Sequence, residues 1–292
     1  MTEMSYSRRL SGLAQNHPDA PMLTMAYGVG EPTETLTWGE VEARSNRLAH
    51  ALKGAGITRG DYITIALPNG FDFVMGCIAA WKIGAPPHPV SARLPSAEMD
   101  AIVELAGSRA VLGVVADRYP GRLCVPVGEA LDANYPETPI EEDYISPAWK
   151  APTSGGSTGR PKLIVSSDPS LFDPDELGFI ETLGFRPGGT TLVPGPLYHN
   201  GPFIWTFSQL LLDGHVVMLR RFEASATIAA LALFKAEVVY LVPTMMSRIW
   251  KLPIDERTCF DLSALEKAWH LAAPCPEWLK RAWIDWLGAE RV

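Results

Sequence analysis

The chain between residues 153 and 162 has the sequence Thr153-Ser154-Gly155-Gly156-Ser157-Thr158-Gly159-Arg160-Pro161-Lys162. Glycines let successive backbone N–H groups turn toward one anion, hydroxyl groups add donors, and a lysine supplies positive charge for a polyphosphate. A flexible Gly/Ser linker has a similar composition. The ordered Pro161-Lys162 ending beside an apolar run weighs against a linker, so this stretch is predicted to be a phosphate-binding loop.

The spacing within this loop excludes a Walker motif. In that motif a lysine directly follows a glycine and opens a helix. Here Arg160 and Pro161 separate the last glycine from Lys162. The β-branched residues 164–165 follow, which favours a strand over a helix. The sequence therefore predicts a strand–loop–strand arrangement.

Strand-like and helical segments alternate on both sides of the loop. Thr37 and Glu40 have capping-box spacing at the start of a helix that ends near Gly54 and Gly56. Further helices are predicted around 71–81, 96–106, 203–212 and 226–234, and strands at 61–67, 110–116, 216–219 and 238–242. The alternation predicts an α/β fold with parallel sheets covered by helices on both faces.

The chain is long enough for more than one packing unit. A length of 292 residues suggests about two such units. Between residues 130 and 151 the periodicity fades and Pro, Asp and Glu become frequent, as in a surface connection. We therefore predict an α/β subdomain at 1–150 and a second at 151–292 that opens with the phosphate loop.

Charge and composition exclude several classes of partner. The net charge of −8 disfavours nucleic acid and anionic membrane surfaces. The polar start and the absence of a long apolar run argue against membrane insertion, so we expect a cytoplasmic protein. The four cysteines lie far apart without metal-ligand spacing: Cys77, Cys124, Cys259 and Cys275. They are expected to be reduced and to hold no metal.

Residues 157–162 resemble the phosphate loop of the adenylate-forming superfamily, which includes acyl-CoA synthetases, luciferases and peptide-synthetase adenylation domains. Further segments match that family in order and spacing. Pro196-Leu197-Tyr198-His199-Asn200 resembles its aromatic–histidine segment, Val242-Pro243-Thr244 the strand and turn that follow, and Ala272-Ala273-Pro274 its adenine-contacting loop. Upstream segments near Leu36 and Leu67 also match, so the resemblance covers nearly the whole chain. It implies the N-terminal part of the acyl-CoA synthetase-like fold.

The resemblance implies an AMP-forming ligase that uses ATP, Mg²⁺ and coenzyme A to turn a carboxylic acid into an acyl-adenylate and then a thioester. The residues implied to bind the nucleotide are Ser154, Gly156, Ser157, Thr158, Gly159, Lys162, Ala272, Ala273 and Pro274. His199 and Lys162 are the implied catalytic residues, with His199 against the substrate carboxylate. A lone histidine is more often an ordinary loop residue, but the Pro-x-aromatic-His context favours a functional role for His199. Taken alone, residues 272–274 form merely a loop that leads into a helix.

The chain also departs from the family pattern. Gly155 stands where the family usually has serine, and Leu271 where many members have glycine. The family's Tyr-Gly-x-Thr-Glu segment, whose glutamate holds Mg²⁺, would be expected just after Val292. The ribose-binding aspartate and the catalytic lysine of the C-terminal domain are also absent. The 292 residues are therefore expected to be inactive alone, and exposed apolar surface is expected to favour homo-oligomers.

The substrate class follows from one further segment. Amino-acid-activating relatives place an aspartate shortly after the aromatic segment, whereas residues 200–205 contain no acid. An unpaired buried ammonium is costly, so a carboxylic acid without an α-amino group is favoured. The apolar stretch 203–211 fits either an acyl tunnel or plain core. The motifs most resemble ligases for bulky ring acids, such as bile-acid-like compounds; a carrier-protein-loading adenylation domain and a non-catalytic nucleotide-binding module remain alternatives.

Overall fold

The computed structural model of the chain describes residues 3–128, 134–154, 161–176 and 178–292. In chain order the elements are β1 (Met4–Ser5), α1 (Tyr6–Asn16), β2 (Pro21–Ala26), β3 (Glu34–Thr37), α2 (Trp38–Gly54), β4 (Ile63–Ile65), α3 (Phe71–Lys82), β5 (Pro87–Pro89), α4 (Ser96–Ala106), β6 (Ala110–Leu112) and β7 (Leu123–Val125). They continue with β8 (Thr153–Ser154), β9 (Lys162–Leu163), β10 (Leu171–Phe172), a 3₁₀ turn (Pro174–Glu176), α5 (Gly178–Thr182), β11 (Thr190–Val193), α6 (Asn200–Leu211), β12 (His215–Leu219), α7 (Ala224–Leu233), β13 (Val238–Leu241), α8 (Pro243–Trp250), α9 (Ile254–Thr258), β14 (Lys267–His270) and α10 (Glu277–Leu287).

The described residues of 1–20 and 37–174 form the first of two compact units. Its parallel sheet has the order β5-β4-β6-β7. Strands β4, β5 and β6 are buried along their whole lengths, as expected for a parallel sheet covered on both faces. Helix α3 is buried from Phe73 to Lys82 and packs against α2.

The predicted start of α2 is confirmed. The amide of Glu40 donates to the Thr37 hydroxyl at 3.3 Å, and the amide of Thr37 donates to the Glu40 carboxylate at 2.8 Å. The predicted strand at 110–116 is too long, because β6 ends at Leu112. Gly113 has a φ of +95°, and a Cβ there would lie 2.1 Å from the carbonyl oxygen of Ala66, so only glycine allows this turn.

A buried ion pair joins the first three helices of this unit. Lys82 on α3 is 1% exposed, and its Nζ donates to both carboxylate oxygens of Glu42 on α2 at 2.8 Å. The same Nζ lies 3.1 Å from the hydroxyl of Ser11 on α1. Burial lowers the pKa of Lys82, and the charge of Glu42 opposes that change. Removing one partner of such a pair leaves an uncompensated buried charge.

The described residues of 21–36 and 175–292 form the second unit. Its sheet has the order β14-β13-β11-β12-β2-β3, and the pairs from β14 through to β2 are parallel. The parallel α/β fold class predicted from the sequence is confirmed. Residues 21–36 join this second sheet, and the described residues of 151–174 pack with the first unit. The subdomain boundary between residues 150 and 151 stays a prediction.

Within the described residues, no helix combines the length and the apolar character that crossing a bilayer demands. The same part of the chain contains no group of three or more His, Cys, Asp or Glu side chains that could hold a metal ion. The four cysteines are unpaired.

Each unit contains a histidine that burial keeps neutral. His88 on β5 lies between the hydroxyls of Thr64 and Thr153. In the second unit, Nε2 of His215 lies 2.8 Å from the hydroxyl of Thr24. Burial lowers the pKa of both imidazoles to about 4.

Stability is therefore expected to fall in mild acid. An unfolded histidine has a pKa of about 6.5, so between about pH 6.5 and pH 4 the unfolded chain binds more protons than the folded one. The free energy of unfolding should decrease through this window by up to about 3 kcal/mol for each buried histidine. Urea unfolding at a series of pH values measures it.

His215→Gln serves as the internal control, because glutamine keeps a polar group but does not titrate. This variant should lose the share of the pH dependence that belongs to the second unit. Equal free energies of unfolding at pH 7.5 and pH 4.5 in the wild-type chain would contradict the assignment.

Candidate functional site

Three motifs of the second unit lie at the same edge of its sheet. The strands β14, β13 and β11 are neighbours and run parallel, with Leu192 paired to Val239 and Leu241 paired to His270. Parallel neighbours present their carboxyl ends at one edge. The segments that leave those ends are 194–199, 242–244 and 271–274, which contain the predicted histidine, turn and adenine motifs.

This edge contains the point where the chain changes direction in the sheet. The connection from β11 leads through α6 to β12 on one side, whereas the connection from β13 leads to β14 on the other. In open parallel sheets, ligands bind in the crevice outside the carboxyl ends of strands at such a switch point. The switch point lies between β11 and β13, so these three motifs lie at the position that the topology favours.

Two helices begin at this edge without a side-chain cap. Helix α6 starts after His199 and α8 starts at Pro243, and no described side chain caps either amino end. The first N–H groups of a helix lack intrahelical partners, and the helix dipole makes that end positive. The edge is therefore suited to a carboxylate or a phosphate.

His199 is held at the start of α6 by its backbone. Its amide donates to the carbonyl of Pro196 at 3.1 Å, and its carbonyl accepts from the amide of Phe203 at 3.1 Å. The imidazole is exposed and lies 4.3 Å from the ring of Tyr198, centroid to centroid. Partial loss of water lowers its pKa. The ring is therefore neutral at pH 7 and has one donor and one acceptor nitrogen.

A glycine fixes how closely α6 approaches the sheet. A Cβ at Gly201 would lie 2.3 Å from Cζ of Tyr240 on β13. No side chain fits in that space, so glycine is required for the first turn of α6 to rest against the Tyr240 ring. This contact sets the position of His199, two residues earlier.

The apolar stretch of α6 belongs to the core of the second unit. Phe203, Trp205 and Phe207 are 1%, 3% and 1% exposed. The Trp205 ring centroid lies 4.8 Å from that of Tyr240 and 5.8 Å from that of Phe185. The indole N–H of Trp205 has no hydrogen-bond partner among the described residues. Of the two interpretations of this stretch, plain core is the one that its burial supports.

The segment after β14 is exposed and strained. Leu271, Ala272, Ala273 and Pro274 all lie at the surface. Ala272 has a φ of +70°, a conformation that alanine rarely adopts. Such strain costs on the order of 1–3 kcal/mol and is concentrated at functional sites. The segment also leads into α10. Its structure is therefore compatible with both an adenine-contacting loop and a loop that simply leads into a helix.

The strands on either side of the predicted phosphate loop belong to the first unit. Strands β8 and β9 pair antiparallel, with Thr153 opposite Leu163 and Ser154 opposite Lys162, which confirms the predicted strands on either side of the loop. Lys162 is exposed and Ser154 is half-buried. The predicted ligands Gly156, Ser157, Thr158 and Gly159 lie outside the described residues.

Sequence analysis missed one buried polar cluster. Thr153 is the first residue of β8, and its hydroxyl lies 2.6 Å from Nε2 of His88. Thr64 and Ser108 extend the same network. A single histidine within the otherwise apolar segment 83–90 was the available signal. Its hydrogen-bond partners are distant in sequence and could not be identified from it.

The sequence matches the family of AMP-binding enzymes over residues 11–292. The chain belongs to this family. Among curated relatives it is similar to a feruloyl-CoA synthase from Amycolatopsis sp., 29% identical over 276 residues that cover 91% of this chain and 55% of the relative. It is also similar to the fatty acid–[acyl-carrier-protein] ligase ScoC from Streptomyces coeruleorubidus, 27% identical over 293 residues that cover 90% and 52%. The chain spans about half the length of the curated relatives it matches.

Solved structures agree on the fold. The inhibitor-bound N-terminal domain of FACL13 from Mycobacterium tuberculosis matches with a TM-score of 0.81 and 18% identity, over 97% of this chain and 73% of that one. The o-succinylbenzoate CoA synthetase MenE from Bacillus subtilis, in complex with the acyl-adenylate OSB-AMP, matches with a TM-score of 0.79 and 21% identity, over 98% and 57%. The predicted N-terminal acyl-CoA synthetase-like fold is confirmed.

The strain at Ala272 can be measured. Ala272→Gly should raise the free energy of unfolding by about 1 kcal/mol, because glycine adopts a positive φ without a steric penalty. Ala273→Gly, whose φ is not positive, should lower it by roughly 0.5–1 kcal/mol through the added freedom of the unfolded chain. In urea unfolding, the free energy of unfolding should therefore change in opposite directions in the two variants. The same decrease in both variants would show that residue 272 is not strained.

Proposed function

We propose that this chain forms the nucleotide- and acid-binding region of an AMP-forming acyl-CoA ligase. One observation carries the proposal. Three motifs that resemble segments of adenylate-forming enzymes follow the carboxyl ends of the adjacent strands β11, β13 and β14. They flank the switch point at which parallel sheets bind ligands. Membership in the AMP-binding family supports the same assignment.

The proposed reaction has two steps. A carboxylate oxygen of the substrate attacks the α-phosphorus of ATP, and the bond to the pyrophosphate oxygen breaks. The thiol of coenzyme A then loses its proton and attacks the acyl carbon, and AMP leaves. Negative charge increases on the phosphorus centre and on the pyrophosphate during the first step, so positive groups aimed there lower the barrier most.

The described residues of the proposed site have different roles in the first step. The neutral imidazole of His199 donates a hydrogen bond to the substrate carboxylate and orients it. The positive amino ends of α6 and α8 stabilise the anionic groups at the same edge. Residues 272–274 are exposed, small or ring-shaped, and so leave room for adenine. Ser154 and Lys162 act on the polyphosphate together with residues 156–159.

Mg²⁺ is proposed to bind with the phosphates of ATP, whose charge it would neutralise. The described residues offer no cluster of acidic or histidine side chains for it. No step assigned to this chain's residues therefore depends on a protein-held metal.

The proposed substrate is an apolar carboxylic acid without an α-amino group. Residues 200–205 supply no carboxylate for an ammonium group, and the similar proteins include enzymes named for feruloyl and fatty acyl groups. A ring-bearing acid, with bile-acid-like compounds among the candidates, fits the motifs best. Delivery to a carrier protein is the second candidate, since ScoC is named for such an acceptor.

Lys162→Ala tests the phosphate loop. Removing a charged donor from a phosphate contact costs about 1.5–3 kcal/mol, so affinity for Mg·ATP should fall roughly ten- to hundredfold. Stability should change little because Lys162 is exposed. Isothermal titration of the chain with Mg·ATP measures the affinity, and urea unfolding measures the stability.

Lys251→Ala is the matched control, because Lys251 is also an exposed lysine but lies at the end of α8. It should bind Mg·ATP like the wild type. Equal affinities for all three proteins would mean that Lys162 does not contact the nucleotide.

Turnover is expected to require more than residues 1–292. Catalytic groups act together on one transition state, so a partial set gives close to no rate rather than a proportional share. The purified 292-residue chain should bind nucleotide weakly and release almost no pyrophosphate with ATP, Mg²⁺, coenzyme A and a panel of fatty, aryl and steroid acids. Robust CoA-dependent turnover would refute this expectation.

A further inference from the structure

The hairpin of β8 and β9, which carries Ser154 and Lys162, has few backbone donors at its contact with the first sheet. It lies beside β5, where a hydrogen bond joins the amide of Ala151 to the carbonyl of Pro87 at 2.9 Å. Residues 86, 87, 89 and 152 are prolines and have no N–H to donate. A regular ladder between β5 and the hairpin is therefore impossible, and side chains must supply part of the connection.

A buried chain of side-chain hydrogen bonds supplies it. The hydroxyl of Thr153 lies 2.6 Å from Nε2 of His88, and Nδ1 of His88 lies 3.0 Å from the hydroxyl of Thr64. The Thr64 hydroxyl lies 2.7 Å from that of Ser108. His88 and Thr64 are 0% exposed and Ser108 is 1% exposed. This series of hydrogen bonds thus runs from Ser108, just before β6, across β4 and β5 to the hairpin.

The network fixes the orientation of the ring as well as its position. A neutral imidazole has one donor and one acceptor nitrogen, and a hydroxyl can serve either. Burial keeps the ring neutral by lowering its pKa to about 4. Both nitrogens have partners, so rotating the ring or removing either hydroxyl leaves a buried polar atom unpaired, which is costly.

We propose that His88, oriented by Thr64 and Ser108, is a positioning residue that holds the β8–β9 hairpin against the sheet and thereby sets where Lys162 meets a polyphosphate. Thr153 is the residue it contacts, and Ser154 and Lys162 form the neighbouring pair of the hairpin. The consequence for Lys162 rests on the proposed function. The attachment of the hairpin does not.

Thr153→Val tests the attachment, because valine keeps the shape and the strand preference of threonine but lacks the hydroxyl. Amide hydrogen exchange is the readout. The amides of Ile164 and Ser166 close the hairpin by donating to the carbonyls of Pro152 and Lys150. They should exchange roughly tenfold faster in the variant, since a lost buried hydrogen bond loosens the segment that it holds.

Controls separate attachment from a general loss of stability. The amide of Ala66, which donates to Leu112 within the main sheet, should keep its exchange rate. Thr153→Ser retains the hydroxyl and should restore wild-type exchange at both hairpin amides. Thr24→Val removes the hydroxyl beside the other buried histidine, His215, and should leave the hairpin unchanged.

Titration with Mg·ATP tests the consequence for Lys162. The dissociation constant should rise about tenfold in Thr153→Val and stay within about twofold of wild type in Thr153→Ser and Thr24→Val. If the wild-type chain binds no Mg·ATP, the proposed function fails, and hydrogen exchange still decides the attachment. Faster hairpin exchange without loss of affinity would overturn the role in setting Lys162.

Unchanged exchange at Ile164 and Ser166 in Thr153→Val, or an equal rise at Ala66, would overturn the positioning role. Ser108→Ala gives a second test that leaves the hairpin sequence intact, should Thr153→Val fail to fold. It removes the far hydroxyl of the network and should raise exchange at the same two amides by a smaller factor. No increase in that variant would contradict the extended network.

Discussion

Parallel strands joined by crossover helices must all start at one edge of a sheet and end at the other. This constraint governs the second unit, where β11, β13 and β14 end side by side. The placement of the histidine, turn and adenine motifs depends on it. Segments that are far apart in the sequence leave the sheet at the same edge, and the switch in direction between β11 and β13 opens a crevice there.

Local features at this edge add to the effect of topology. Gly201 lets α6 rest on Tyr240, and His199 directly precedes that helix. Uncapped helix ends make the edge electropositive. In the segment that follows β14, Ala272 is held at a φ of +70°. Strain of this kind persists only where the surrounding structure enforces it, which is common at binding sites.

Local signals in the sequence predicted much of the fold. The capping box at Thr37 and Glu40 gave the start of α2, and the spacing of apolar residues gave α4 at 96–106. Such features are predictable because they depend on residues within a few positions of each other. The strand after the phosphate loop was predicted from the neighbouring β-branched residues 164–165, and the structure has it at Lys162–Leu163.

The features of the fold that could not be predicted from the sequence depend on contacts between residues that are far apart in the chain. Residues 21–36 join the second sheet although they are followed by more than a hundred residues of the first unit. Neither the Lys82–Glu42 pair nor the network around His88 has a signature in sequence spacing, because each joins residues from different elements. Gly113 ended β6 early through a contact with Ala66 that only the folded chain contains.

The carboxyl edge of β11, β13 and β14 is proposed to bind the nucleotide. Amide chemical shifts of the ¹⁵N-labelled chain, recorded during a titration with AMP, test it directly. We predict that the largest changes fall at the amides of residues 199–201, 242, 244 and 271–273, since residues 243 and 274 are prolines without an N–H. Changes confined to the amino ends of the same strands, at residues 190, 238 and 267, or to the first unit alone would contradict it.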